Sequence, residues 1–203
     1  GQDYNVALIV DTSGSMTIDA IEQAKAAVKH LAEQLAEHGD VKGEMNVVLI
    51  SFNTNSSILW EGPLNSDKLA EIYEAIDSFD GIGNTNFESA FNAANKWFSG
   101  LGDATRTNEN QDFFVTDGRP NYHYMDAVTV GSVSLKVPDD YIVGDLVYYD
   151  ASGNPLPNAE GAMFRIDATG AVLRKTDSGS WKTQGHVVDG NRNDDEEAAQ
   201  AKD

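Results

Sequence analysis

The run Val6-Ala7-Leu8-Ile9-Val10 is apolar at every position and ends in Asp11. A strand without polar alternation must bury both faces, which happens in the middle of a parallel sheet covered on both sides. The rest of the first half supplies such a cover. From Thr17 to His38 the residues Ile21, Ala24, Val28, Leu31 and Leu35 recur at three and four, the stripe of an amphipathic helix, and Gly39 is expected to stop it. Val47 to Ile50 form a second buried strand running to Phe52, with Ile58 to Trp60 as a short hairpin partner at an edge. Two more helical stripes follow, Leu69, Ile72, Tyr73 and Ile76, then Phe87, Ala90, Phe91, Ala94 and Trp97, separated by the loop Gly81-Ile82-Gly83-Asn84. Phe113 to Thr116 make a further short strand ending at Asp117-Gly118. This order predicts an α/β fold: a Rossmann-like, open, mostly parallel sheet with helices on both faces.

Beyond Pro120 the helical stripes cease. Val128 to Val137, Tyr141 to Tyr149, Ala162 to Ile166 and Ala171 to Arg174 read as strands, punctuated by turns at Ser152-Gly153-Asn154-Pro155, Thr169-Gly170 and Asp177-Ser178-Gly179. The expected organisation is a core over residues 1–120, a β-rich antiparallel insertion over 121–190, and the start of another helix over 191–203, capped by Asn193 or Asp194.

Composition narrows the function. Acidic residues outnumber basic ones 33 to 14, for a net charge of -19, so the chain should repel nucleic acid and anionic membranes and attract cations. The 40% of hydrophobic residues fall into periodic groups, which argues for a packed core and against disorder. Without cysteine there are no disulfides, thiolate metal sites or cysteine nucleophiles. No apolar run reaches the ~20 residues that span a bilayer, and no signal peptide opens the sequence; a soluble chain is expected, with any export signal outside it.

The chemistry concentrates at Asp11-Thr12-Ser13-Gly14-Ser15, where the first strand meets the first helix. Its three alternating oxygen side chains suit a hard cation, which takes about six oxygen ligands from carboxylates, hydroxyls and water, so more donors must come from elsewhere. Each residue also has a plain structural reading: Asp11 and Ser13 as caps of the helix near Thr17, Thr85 as the cap of the helix containing Phe87, Asp117-Gly118 as a turn. Arg119 reads either as a contact for an anionic ligand or as a solvated surface residue. Asp189-Gly190-Asn191-Arg192-Asn193 begins like a calcium loop but has Asp194 where glycine is required and Gln200 where glutamate is required. His30, His38, His123 and His186 show no paired ligand spacing. Tyr122, Tyr124, Tyr148 and Tyr149 suit a recognition surface or strand packing.

Asp-x-Ser-x-Ser after a first buried strand resembles the metal-ion-dependent adhesion site of the von Willebrand factor A family. The resemblance implies a threonine in a loop before a mid-chain helix, met by Thr85 in Gly83-Asn84-Thr85-Asn86. It also implies an aspartate ending the fourth strand, met by Asp117 in Thr116-Asp117-Gly118. Ser13, Ser15 and Thr85 would then offer hydroxyls to one divalent cation, Mg2+ or Ca2+ with Mn2+ as a third candidate. Asp11 and Asp117 would bind directly or through water, and the sixth position would take an acidic group of a protein, peptide or glycan partner. In an open sheet of order 3-2-1-4-5-6 the site falls outside the carboxyl ends of strands 1 and 4, where the order reverses.

The resemblance covers residues 4 to 120. A family domain would continue with a helix, two strands and a last helix; either the chain is a fragment, or the insertion shields the edge of strand 4. Acidity, lack of cysteine and extra residues after Asp117-Gly118-Arg119-Pro120 resemble the A-type domains of large bacterial repeats-in-toxin adhesins. That implies an extracellular or cell-surface binding module acting in attachment or biofilm formation, not an enzyme. The alternatives are an intracellular assembly subunit of the chelatase kind, and a metal-dependent hydrolase, for which no histidine falls in the three motif segments to act as a base.

Overall fold

The computed structural model describes residues 2–14, 16–116 and 123–189. Its first half contains β1 (Tyr4–Asp11), α1 (Ile18–Val41), β2 (Met45–Phe52), β3 (Ser56–Pro63), α2 (Leu69–Asp77), α3 (Phe87–Ser99), the short α4 (Asp103–Arg106) and β4 (Glu109–Val115). The sheet order is β3-β2-β1-β4, with β1 parallel to β2 and β4, and β3 antiparallel to β2. The order is the one the sequence predicts, and β1 is buried along nearly its whole length as its unbroken apolar run requires. Alternate residues of the strands face two cores. Val6, Leu8, Val10, Val47 and Leu49 pack against Ile21, Val28, Ile72 and Ile76 of α1 and α2, while Ala7, Ile9, Val48 and Ile50 pack against Ala90, Ala93 and Ala94 of α3. Helices therefore cover both faces.

Two expectations for this half are corrected, and one short element carries no sequence signal. Gly39 does not end α1, which runs on to Val41 and is capped at Lys42, whose N–H bonds the His38 carbonyl. The glycine serves close approach: a Cβ there would lie 2.1 Å from the Leu64 carbonyl oxygen. The third strand sits at the edge but is not short, spanning eight residues with a bulge opposite Leu49 and Ile50. No residue of the strand is buried, and polar or small residues at both of its ends weakened its apolar signal. Finally, α4 escaped notice because four residues carry no periodicity.

The second half contains β5 (His123–Tyr124), β6 (Ala127–Val130), β7 (Val133–Lys136), β8 (Val147–Tyr149), β9 (Pro155–Leu156), β10 (Phe164–Ile166), β11 (Ala171–Lys175), β12 (Trp181–His186) and β13 (Val188–Asp189). These form a five-stranded antiparallel sheet, β12-β11-β10-β8-β9, and two hairpin-like pairs, β6-β7 and β13-β5. The predicted β-rich character holds, but Tyr141 to Leu146 is not strand. Tyr141 is fully buried and Asp145 N–H bonds the Ile142 carbonyl, so this stretch turns and only Val147 to Tyr149 pair. Polar β12 was missed because Lys182, Thr183 and Gln184 show no alternation.

Two of the three predicted turns share one chemistry. Asp150 Oδ1 accepts from the N–H groups of Ser152 and Asn154, and Asp167 Oδ1 from those of Thr169 and Ala171; Gly153 and Gly170 follow at positive φ. Tyr124 and Tyr149 belong to the core of this half, as the packing reading proposes. Among the described residues no helix is long and apolar enough to cross a membrane. Tyr122 and residues 190–203, with the anticipated final helix and most of the calcium-like loop, lie outside the described residues.

Candidate functional site

The carboxyl ends of β1, β2 and β4 are drawn together by an aromatic cluster. Phe52 at the end of β2 stacks on Phe114 of β4 with centroids 5.4 Å apart, and Phe87 at the start of α3 meets both edge-on at 5.8 and 5.1 Å. Three loops therefore converge here: the one after β1, the turn after β2, and the one leading into α3.

Backbone hydrogen bonds lock these loops. Gly14 N–H donates to the Gly83 carbonyl at 2.8 Å and Ile82 N–H to the Thr12 carbonyl at 3.1 Å, while Asn86 N–H donates to the Asn53 carbonyl at 2.8 Å. Asn84 N–H donates to the Thr54 hydroxyl and the Asn86 amide to the Thr54 carbonyl. Gly83 sits at φ +78 with a virtual Cβ only 3.2 Å from the Thr54 hydroxyl oxygen, so conformation and space both call for glycine.

Within this frame the structure brings together three of the five predicted ligands. Asp11 Oδ1 accepts from the Ser13 N–H at 2.8 Å, and the Thr85 hydroxyl donates to Ser13 Oγ at 2.9 Å. The plain capping readings do not hold for them: the cap of α1 is Thr17, which accepts from Ala20 N–H, and the cap of α3 is Asn86, which accepts from Ser89 N–H. Ser15, Asp117 and Arg119 lie outside the described residues.

One participant was not singled out from sequence. The Thr116 hydroxyl donates to Asp11 Oδ2. Parallel register sets Val10 beside Val115, so the next residue of each strand, Asp11 and Thr116, meet. Strand order plus register was the signal that could have found it.

The described donors are themselves shielded from solvent. Asp11 and Ser13 are 0% exposed and Thr85 is 1% exposed, because the interlocked loops close over the strand ends. These donors nevertheless suit a hard cation. All are oxygens, and in an octahedron with metal–oxygen bonds of ~2.1 Å neighbouring ligands stand about 3.0 Å apart, close to the Thr85–Ser13 separation of 2.9 Å. Among the described residues no group of three or more histidines, aspartates and glutamates is placed to hold a metal, and the described donors at this site are hydroxyls beside the Asp11 carboxylate.

A second feature is a polar stripe on α3. Glu88, Asn92 and Lys96 recur every four residues and all face the β-rich half. Glu88 accepts from Tyr124 N–H at 2.7 Å, the Asn92 amide donates to the Tyr141 carbonyl at 2.8 Å, and Lys96 pairs with Asp145. The helix that begins just after Thr85 thus also holds the second half in place.

The family described as von Willebrand factor type A domain matches residues 5–136. No curated protein matches the chain. Among solved structures, the vWF domain of the type V pili tip protein Mfa5 from Porphyromonas gingivalis is similar at 16% identity and TM-score 0.53, over 64% of this chain and 45% of that one. The PilB minor pilin from Streptococcus sanguinis is similar at 20% identity and TM-score 0.52, over 64% of this chain and 35% of the other. The pilus adhesin SpaC from Lactobacillus rhamnosus GG is similar at 16% identity and TM-score 0.53, over 100% of this chain and 23% of the other. This chain spans less than half the length of each of the three, and at these identities the likeness is one of fold.

Proposed function

Because this chain belongs to the von Willebrand factor type A domain family, we propose that it is a non-enzymatic binding module that holds one divalent cation, Mg2+, Ca2+ or Mn2+, and presents it to an acidic group on a partner. The observation that carries the reading is the convergence of Asp11, Ser13 and Thr85 at the end of β1, with two hydroxyl oxygens at the spacing of neighbouring cation ligands. Ser15 and Asp117 complete the proposed donor set. Two aspartates nearly neutralise a dication while leaving it short of ligands, so an incoming carboxylate gains a strong bond without meeting a net negative centre. In a chain of net charge -19 such a carboxylate is otherwise repelled.

The similar structures belong to a pilus tip protein, a minor pilin and a pilus adhesin. They support placing this module at a bacterial cell surface, as part of a large adhesin that attaches to a protein, peptide or glycan. A bound cation would supply a Lewis acid for binding; Ser13 and Thr85 would hold it through their hydroxyls, and Thr116 and the Ser13 N–H fix the Asp11 carboxylate.

Calorimetric titration of Mg2+, Ca2+ and Mn2+ into metal-stripped protein tests the reading. One stoichiometric site is expected in the wild type. Thr85→Val, nearly isosteric, should weaken it roughly tenfold, as loss of one ligand group of about 1.4 kcal/mol implies. Absence of binding in the wild type, or unaltered binding in Thr85→Val, refutes the site.

A further inference from the structure

The β11–β12 hairpin inverts the charge of the molecule. Residues 164–186 carry four cations, Arg165, Arg174, Lys175 and Lys182, and two carboxylates, Asp167 and Asp177, in a chain where acids exceed bases by 33 to 14. Asp167 spends its hydrogen bonds on its own turn, accepting from Thr169 and Ala171. Arg174, Lys175 and Lys182 are exposed, and none has an ion-pair partner among the described residues.

Register distributes these cations around the hairpin. Arg174 stands directly opposite Lys182, on the face that deeper in the sheet carries Phe164 and Val172. Lys175 stands opposite Trp181 on the other face, together with Arg165 and Leu173. There the Arg165 guanidinium lies over the Trp181 indole, 4.5 Å from the ring centroid. The end of the hairpin is thus cationic on both faces and aromatic on one.

Folding does not account for this arrangement. Like charges directly opposite on neighbouring strands cost stability. A lysine that guards a sheet edge against aggregation belongs on the edge strand, which explains Lys182 of β12, and the contact with Trp181 explains Arg165, but neither explains Arg174 and Lys175 on β11. An unneutralised Arg174–Lys182 pair is instead what an anionic ligand uses.

We propose that the end of the β11–β12 hairpin is a second binding surface, separate from the β1 site, and that it binds an acidic polysaccharide carrying sulfate or uronate groups. Repeated anionic groups along such a chain match cations on both faces of the hairpin, and the Trp181 indole offers the flat apolar face on which the C–H side of a sugar ring stacks. Arg165 holds that indole in place from the opposite side of Leu173. Binding at this surface needs no metal.

The test uses the full chain in EDTA, which removes any cation from the β1 site and so separates this surface from the proposed metal-dependent function. Heparin, polygalacturonate, poly-glutamate and neutral dextran are titrated at rising salt. Binding to heparin or polygalacturonate is expected, weakening as salt rises, with none to dextran. The double variant Arg174→Gln, Lys182→Gln, both exposed and unpaired so that the fold is retained by circular dichroism, should lose about tenfold or more in affinity, the loss of at least one charged contact. Trp181→Leu should weaken polysaccharide binding and leave poly-glutamate binding unchanged. No polysaccharide binding, or binding indifferent to the double variant, overturns the proposal. Poly-glutamate binding as tight as that of the polysaccharides overturns the choice of ligand.

Discussion

Asp11 illustrates how a ligand-type residue can also be structural. Its carboxylate is shut away from solvent and accepts from the Ser13 N–H and the Thr116 hydroxyl. Hydrogen bonds to a buried charge contribute about 1.5 to 3 kcal/mol, and a donor deprived of its acceptor loses comparably. Asp11→Ala is therefore expected to destabilise the metal-free protein by about 1 to 3 kcal/mol, read from urea denaturation in EDTA, and not only to abolish cation binding. An unshifted midpoint means that the loop relaxes to supply another acceptor. A variant at 11 must accordingly be checked for folding before lost binding is assigned to the metal, whereas Thr85→Val at the same site keeps its volume.

At the scale of elements, the end of α1 sets helix propensity against packing. Alanine is favoured over glycine inside a helix by about 1 kcal/mol. At position 39, however, a methyl group would stand 2.1 Å from the carbonyl oxygen of Leu64, whose own N–H bonds the Met45 carbonyl and cannot yield freely. Overpacking against backbone costs about 1 to 3 kcal/mol. Gly39→Ala should thus destabilise the protein in spite of its propensity; a rise in melting temperature would contradict the close approach of α1 and the β3–α2 connection. The same residue shows what the sequence conceals. A glycine after a helical stripe reads as a stop, and only the partner 25 positions later reveals a contact. Strands buried on both faces, β1 and β2, announce themselves by unbroken apolar runs, and so the sheet order and the three-loop convergence were legible. Edge and insertion strands were legible only in part: β3, β6, β7, β10 and β11 carry an apolar signal, whereas the two-residue β5, β9 and β13 and the polar β12 do not; nor was the Thr116–Asp11 bond legible, which depends on pairing register rather than on local pattern.

For the whole molecule, alkaline pH is expected to act first on the β-rich half. Burial pushes the Tyr149 hydroxyl up to about 12 and raises those of Tyr141 and Tyr124 as well. In the unfolded chain these groups ionise near the ordinary value of 10.0. The folded state keeps its protons where the unfolded state sheds them, so this contribution to stability is intact below pH 10 and is lost as pH rises toward 12. Tyrosinate absorbance and circular dichroism followed together should show ionisation coinciding with loss of β structure. Tyr149→Phe, which removes one of the raised groups along with its bond to the Lys136 carbonyl, should flatten the alkaline limb.

The stripe Glu88, Asn92 and Lys96 gives α3 a mechanical role. One helix carries the Asn86 cap beside Thr85 at its head and, along its flank, contacts to β5 and to the turn before β8, so the loop of the proposed cation site and the β-rich half share one helix. If both proposed surfaces bind, a load on the second half would reach the loop that supplies Thr85 through α3.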